Sequence, residues 1–132
     1  MNSEEGLIRS AMKAKERAYA PYSKFRVGAC ILSGDKTYQG FNIENISYSL
    51  TICAERVVAI KAILSGEKDF DKIVIASDSE EFPYPCGACL QFLSEFAQDM
   101  DIILVNGEGK IKRTKLKEIF PNPFKDESLK RN

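Results

Sequence analysis

Apolar and polar positions alternate with two different periods along the chain, which predicts a succession of helices and strands. Near the N-terminus, an apolar face with helical spacing follows Asn2 and Glu5, a pair typical of a capping box, and Pro21 is expected to end this helix. The β-rich segments Phe25–Ser33 and Thr37–Phe41 flank a Gly-Asp turn. They predict a hairpin.

Further along, helical segments alternate with short strands that are apolar throughout. Helices are expected from about Ile52 to Leu64 and from about Gly87 to Ala97. The segments Ile73–Ala76 and Ile102–Val105 predict strands that are covered on both faces of a sheet, because every position in them is apolar. A fifth strand, residues 110–114, is expected after a glycine-rich turn.

Two predicted helices have identifiable end signals. Gly66 is expected as a left-handed cap after the second helix, and Thr114 is expected to cap a short last helix that Pro121 stops. The predicted order is αββαβαββα in a single domain that covers residues 1–132. Helices that alternate with apolar strands indicate an α/β fold, a layered sandwich around a mixed sheet.

Composition restricts the chemistry. With 19 basic and 19 acidic residues, no net charge draws the chain to nucleic acid or to an anionic membrane. No apolar run approaches the roughly 20 residues that span a bilayer, and the acidic N-terminus lacks the layout of a secretory signal, so we expect a cytoplasmic protein. Because the chain has no histidine, a Ser-His-Asp triad and an imidazole base are excluded. A transition-metal site must use sulfur and oxygen.

Three of the four cysteines lie at the starts of predicted helices. Cys53 begins one helix, and Cys86 and Cys89 begin another, where their spacing places both on one face. The positive end of a helix dipole favours thiolate over thiol. Three thiolates that converge from two helix starts would hold one zinc ion and leave its fourth position open, as in catalytic sites.

Glu55 and Cys30 have different expected roles. Glu55 follows Cys53 closely, so its carboxylate could reach the open zinc position and move a proton. The alternative is a solvated glutamate in the first turn of a helix. Cys30 lies within an apolar strand and is expected to be a buried apolar residue. As a fourth ligand it would make the site closed and structural.

The sequence closely resembles the small homotetrameric, zinc-dependent cytidine deaminases over nearly the whole chain. The segments that carry the resemblance are Tyr22-Ser23-Lys24-Phe25, Asn42-Ile43-Glu44-Asn45, Cys53-Ala54-Glu55-Arg56, Pro85-Cys86-Gly87-Ala88-Cys89 and Phe120-Pro121-Asn122-Pro123-Phe124. The two cysteine motifs match the zinc-deaminase signature in its three-cysteine form. The resemblance implies a three-layer α/β/α sandwich of the cytidine-deaminase type with a mixed five-stranded sheet.

The resemblance also implies the cofactor and the reaction. One zinc ion per subunit would be held by Cys53, Cys86 and Cys89, with water as the fourth ligand. Glu55 would take a proton from this water and pass it to N3 of cytosine. The water oxygen would attack C4, and ammonia would leave.

Arg56 and Gln91 are expected to support the metal site. Zinc with three thiolates has a net negative charge, which opposes ionisation of a bound water. By the resemblance, Arg56 donates hydrogen bonds to the cysteine sulfurs and damps their charge. Gln91 is expected to help hold Arg56. The alternative is that Arg56 is an ordinary surface residue.

Four further residues resemble the substrate contacts of the family. Asn42 and Glu44 match the pair that binds the ribose 3′-hydroxyl, and a carboxylate there would repel a phosphate, which favours nucleosides over nucleotides. Phe25 matches the aromatic residue beside the pyrimidine ring, and the backbone of Ala54 is the expected partner of O2. Taken alone, the first two could be a polar loop and Phe25 a core residue.

Phe124 resembles a C-terminal phenylalanine that enters the active site of a neighbouring subunit. Pro121 and Pro123 make its segment stiff and extended, and we expect a homotetramer with shared active sites.

Two positions depart from the family. Leu90 stands where many relatives have arginine and is expected to alter an outer contact or an interface. Tyr84 stands where a small residue is usual and is expected to narrow the mouth of the site.

The sequence thus predicts a hydrolase that deaminates cytidine and 2′-deoxycytidine in pyrimidine salvage. Alternatives are deamination of another cytosine nucleoside, such as blasticidin S, and a structural zinc module with four protein ligands. A polynucleotide substrate conflicts with Glu44 and with the neutral charge.

One basic cluster is expected to be solvated surface rather than an RNA-binding strip. Its members are Lys110, Lys112, Arg113, Lys115 and Lys117.

Overall fold

The computed structural model describes residues 2–126 and contains the predicted order of helices and strands. A single 3-10 turn, Tyr48–Leu50, was not predicted. The elements are α1 (Glu4–Lys15), β1 (Val27–Ser33), β2 (Lys36–Phe41), α2 (Ala54–Leu64), β3 (Lys72–Ser77), α3 (Gly87–Ser94), β4 (Asp101–Val105), β5 (Ile111–Lys115) and α4 (Leu116–Ile119).

The five strands form one mixed sheet in the order β2-β1-β3-β4-β5. β3 and β4 pair in parallel, and the other neighbours are antiparallel. β3 is the central strand and is buried from Ile73 onward, as its apolar sequence predicts. α2 packs over β2 and β1 and contacts α3, so the two helices share one face of the sheet.

Helices cover both faces of the sheet, which confirms the three-layer α/β/α sandwich. On one face, Leu7 and Ala11 of α1 pack against Cys30 and Val74. On the other face, α2 and α3 bury a larger core with the opposite sides of the same strands. The backbones approach closely at Gly28, where an added Cβ would lie 2.2 Å from the Ala11 carbonyl oxygen.

The N-terminal cap differs from the prediction by one residue. Ser3, not Asn2, caps α1, because the Ser3 hydroxyl accepts a hydrogen bond from the Gly6 amide at 3.1 Å. The Asn2 amide instead donates to the Asp35 carbonyl at 2.9 Å. Gly66 has φ +101° after α2, which confirms the predicted left-handed position.

Two predicted helix ends, those of α1 and α3, are wrong for reasons of tertiary structure. α1 ends at Lys15, well before Pro21, because Tyr19 leaves the helix and donates its amide to Asn42 at 3.0 Å. α3 ends at Ser94 rather than Ala97, because the chain tightens there and the Phe96 carbonyl accepts from Phe70 at 3.0 Å.

The cap of the last helix is Lys115, not Thr114, and no side chain there accepts a hydrogen bond from α4. Thr114 stays within β5, where it pairs with Ile102.

Among residues 2–126, no helix combines the length and the hydropathy that a membrane crossing needs.

Candidate metal centre and active site

The three cysteines expected at helix starts come together in one cluster. Cys53 and Cys86 are the N-cap residues of α2 and α3, and both have extended backbone there. The Cys86 sulfur accepts from the Cys89 amide at 3.5 Å, which places the two side chains on one side of the turn. The Sγ atoms are 3.9 Å apart for Cys53 and Cys86 and 3.4 Å apart for Cys86 and Cys89.

This donor set fits zinc. Sulfurs bound tetrahedrally at 2.3 Å lie about 3.8 Å from one another, close to the separations in the cluster, whose ligand atoms all lie within 4.8 Å. Within the described residues, no fourth histidine, cysteine, aspartate or glutamate joins the group. Cys30 is fully buried in β1 against α1, as expected of a structural cysteine. The cluster could therefore hold a zinc ion with one position open.

Arg56 adds positive charge to this cluster. Its Nη2 lies 3.7 Å from the Cys53 sulfur, and contact with the sulfurs raises the pKa of the guanidinium. The Cys89 thiol and then Arg56 lower the pKa of Cys53 to about 5, while the pKa of Cys89 rises as it donates to Cys53. The alternative of an ordinary surface arginine does not fit these contacts. The arrangement favours the thiolate of Cys53, the form that binds zinc.

Glu55 is buried beside the cluster. Only 5% of the residue is exposed, so the alternative of a solvated helix glutamate does not hold. Removal from water raises the pKa of Glu55 to about 7. The carboxyl group can therefore take up or release a proton near neutral pH.

An open cavity of about 780 Å³ joins the cluster to residues from distant loops. We call Cys53, Glu55 and Cys86 its metal wall. Its loop wall consists of Phe25, Asn42 and Glu44. Ala54 also lines the cavity. Every substrate-contact residue suggested by the resemblance, except Phe124, thus lines one space with Cys53 and Cys86.

The loop wall is braced by its own side chains. The Asn42 side chain accepts from the Val27 amide at 3.0 Å and donates to the Phe25 carbonyl at 2.8 Å. Asn42 is nearly buried, and it fixes the start of β1 behind the exposed Phe25 ring. Phe25 is consequently not a core residue. This bracing role of Asn42 depends on contacts distant in sequence and could not be predicted from a motif.

Glu44 organises the loop that precedes Phe25. Its carboxylate accepts from the amides of Tyr22 and Ser23, at 2.9 and 3.1 Å, and from the Ser23 hydroxyl. The Ser23 hydroxyl lowers the pKa of Glu44, so this group stays ionised at neutral pH. Ser23 belongs to one of the segments that carry the resemblance to the family, but its role as a hydrogen-bond partner of Glu44 was not predicted.

Gln91 does not contact Arg56 as expected. Its amide donates to the Phe124 carbonyl at 2.7 Å and accepts from the Phe124 amide at 2.9 Å. These two bonds clamp the C-terminal segment to α3. The Phe124 ring is 61% exposed and lies outside the cavity of its own chain.

The two departures from the family have different surroundings. Leu90 is buried in the core between α3 and the sheet, which does not fit an outer contact, and the alternative of an altered interface stays a prediction. Tyr84 lines the cavity beside Cys86, as a residue that narrows the site would. Ser79, Glu81 and Phe82, from the same loop, also line it and carried no sequence signal.

The basic cluster near the C-terminal end is mostly paired with acidic groups. Lys115 lies 2.9 Å from Asp101, Lys110 lies 3.3 Å from Glu108, and Arg113 pairs with Glu4. These contacts agree with a solvated surface rather than a strip that offers free charge to a polynucleotide.

Comparison with known proteins agrees with this geometry. Residues 1–105 match the cytidine and deoxycytidylate deaminase zinc-binding region, a stretch that includes all three clustered cysteines. The chain belongs to this deaminase family. The cytidine deaminase of Sporosarcina psychrophila is 44% identical over 127 residues, which cover 95% of this chain and 93% of that protein. That of Halalkalibacterium halodurans is 41% identical over 125 residues, 93% of this chain and 95% of that protein.

The fold comparison extends to crystal structures of the family. The cytidine deaminase of Burkholderia pseudomallei superposes with a TM-score of 0.88 at 36% identity, over 92% of this chain and 99% of that one. The deaminase of Mycobacterium tuberculosis gives a TM-score of 0.79 at 29% identity, over 94% of this chain and 99% of that one. The mixed sheet and its helices are therefore those of cytidine deaminases.

Proposed function

We propose that this protein is a zinc-dependent hydrolase that converts cytidine and 2′-deoxycytidine, with water, to uridine and 2′-deoxyuridine plus ammonia. The observation that carries this proposal is the buried Glu55 carboxyl beside a cluster of three cysteines, at one wall of an open cavity. A structural zinc module needs four protein ligands and no buried acid. The close deaminase relatives support the same reaction.

The protein's own groups supply the proton transfers. Bound zinc supplies Lewis acidity and lowers the pKa of a coordinated water to about 7. Glu55 takes a proton from the attacking water and delivers it to N3 of the pyrimidine. As the C4–N bond breaks, Glu55 takes the proton of the new hydroxyl on C4 and delivers it to the amine, which leaves as ammonia while C4 becomes a carbonyl. A carboxyl whose pKa is about 7 can make both transfers at neutral pH.

The cavity orients a nucleoside between its two walls. C4 of the base must lie at the metal wall, where Glu55 is. Ala54 is the first residue of α2, so its amide has no acceptor within the helix and is available to O2 of the base. The Phe25 ring lies against the base, and Asn42 and Glu44 of the loop wall bind the ribose.

The charge of the cavity favours a nucleoside over a nucleotide. Among the described lining residues, Glu44, Glu55 and Glu81 are acidic and none is lysine or arginine. A phosphate carries a charge of about −1.5 to −2 at neutral pH and would be repelled there. A free nucleoside and a role in pyrimidine salvage fit this surface.

Ultraviolet absorbance on addition of cytidine tests the proposal, with the Glu55→Gln variant as the matched protein. We expect zinc in both proteins, and turnover reduced by about 10²- to 10⁴-fold in the variant. Near-full activity of the variant would contradict the role of Glu55. Faster turnover of blasticidin S, or equal activity on a cytosine oligonucleotide, would contradict the substrate.

We also propose a cytoplasmic homotetramer in which Phe124 completes the cavity of a neighbouring subunit. The exposed Phe124 ring supports this, as do exposed apolar residues such as Tyr48 and Leu64. Co-expression of Glu55→Gln with Phe124→Ala subunits tests it. If the ring acts between subunits, mixed tetramers regain activity that each variant alone lacks. If it acts within its own subunit, mixing restores nothing.

A further inference from the structure

The loop between β3 and α3 holds Tyr84 in a restricted position. Pro83 and Pro85 flank it, and proline fixes the backbone φ angle. The Tyr84 amide donates to the Phe82 carbonyl at 3.0 Å, which closes a tight turn. Cys86, a member of the metal wall, follows directly after Pro85. Tyr84 therefore lines the cavity from the same stretch of chain as a metal ligand.

A lysine on the edge strand β5 restrains the ring. Lys112 of β5 places its Nζ 5.5 Å from the centroid of the Tyr84 ring, a cation–π distance. Its neighbours Lys110 and Lys115 instead pair with carboxylates. The ring is 46% exposed, so a contact that holds its orientation matters more than it would for a buried ring.

The proposed orientation of the base decides which atom the ring meets. C4 has two ring neighbours, N3 and C5. N3 must face Glu55 on α2 to receive a proton, so C5 is turned away from α2. The metal wall has a second part, the stretch of chain that carries Tyr84 and Cys86. In this orientation C5 faces that stretch, so C5 is the atom that the Tyr84 ring meets.

We propose that Tyr84, held by Lys112, determines substrate specificity by closing the metal wall against substituents on C5 of the pyrimidine. This inference rests on the proposed function. The unsubstituted base of cytidine fits beside the ring, whereas a methyl group on C5 would have to displace it. A single methyl group in a closed pocket changes kcat/KM by about 10- to 200-fold.

The test is the ratio of kcat/KM for 5-methylcytidine to that for cytidine. In Tyr84→Ala we expect the ratio to rise by about 10-fold or more. Tyr84→Phe keeps the ring and should keep the ratio. Lys112→Met frees the ring and should raise the ratio by a smaller factor, whereas Lys112→Arg keeps a cation and should not. Inhibition by uridine and 5-methyluridine gives a binding readout, which should change in the same direction.

The outcomes separate this inference from the function on which it rests. A zinc-loaded wild type that leaves cytidine unchanged would contradict the proposed function. A wild type that deaminates cytidine, with a Tyr84→Ala ratio that stays within about two-fold of it, would overturn the role of Tyr84 alone. A response to Tyr84→Ala without one to Lys112→Met would overturn the restraint by lysine.

Discussion

The metal wall and the loop wall of the cavity are built in different ways. Cys53 and Glu55 lie at the start of α2, and Cys86 at the start of α3, on helices that pack into the larger core of the sheet. Asn42 and Glu44 lie in irregular chain after β2 and are held by hydrogen bonds to backbone groups of residues 22–27. The first wall depends on apolar packing, and the second depends on a few polar bonds.

The difference separates chemistry from recognition. A metal centre needs ligand atoms at fixed spacing, which two packed helix starts provide. A nucleoside must enter and leave, which a wall of loops allows. Changes in the metal wall should therefore abolish turnover, whereas changes in the loop wall should weaken binding.

Loss of a ligand in the cysteine cluster has the largest expected effect. Cys89→Ala should lose zinc and reduce turnover to background, because two sulfurs remain of a three-sulfur set. Metal analysis and the deamination rate measure this. Cys30→Ala is the matched control, since it removes a buried cysteine on the α1 face at a cost of about 1 kcal/mol and should retain both metal and activity. If Cys30→Ala lost zinc as well, the α1 face of the sheet would also be needed for metal binding, and the predicted difference between the two faces would be wrong.

Glu44→Gln should affect binding more than catalysis. The amide keeps the size but loses the charge that accepts from Tyr22 and Ser23, so KM for cytidine should rise about 10-fold or more with a smaller change in kcat. A fall in kcat with unchanged KM would assign Glu44 to the chemistry.

The pH dependence of KM sharpens the same comparison. The pKa of Glu44 is lowered, chiefly by Ser23, so the carboxylate and its bonds are present above that pKa and are lost as pH falls through it. The Glu44 contribution to KM should therefore stay constant between roughly pH 8 and pH 5, and should weaken only in more acidic solution. A Glu44-dependent change in KM near pH 7, measured against Glu44→Gln, would contradict this.

Gln91→Ala should have a moderate effect on the C-terminal segment. Both hydrogen bonds between the Gln91 amide and the Phe124 backbone disappear, at a net cost of about 1 to 2 kcal/mol, and hydrogen exchange should accelerate at the Phe124 amide. If Phe124 completes a neighbouring site, kcat/KM should fall with it. Zinc content should not change, because Gln91 does not contact Arg56; zinc loss would restore the role expected from sequence.

The same contrast explains how much could be predicted from sequence. Cys53, Cys86 and Cys89 were predictable because helix starts and three-residue spacing are local signals, and the buried strand Ile73–Ala76 is a local signal too. The partners of Gln91 were not predictable, because Phe124 lies far along the chain. The end of α1 was missed for the same reason: Tyr19 leaves the helix to pair with Asn42.

The smallest effect is expected at the N-terminal cap of α1, on the face of the sheet opposite the larger core. Ser3→Ala removes the acceptor of the Gly6 amide and should lower the free energy of unfolding by about 1 kcal/mol. Denaturant unfolding measures this, with Asn2→Ala as the neighbouring control, whose exposed bond to Asp35 should matter less. The kinetic constants should stay the same in both variants, because α1 contributes no residue to the lining of the cavity. A change in kcat would mean that the α1 face is coupled to the metal wall through the sheet, and that packing on one side of this sandwich sets ligand geometry on the other.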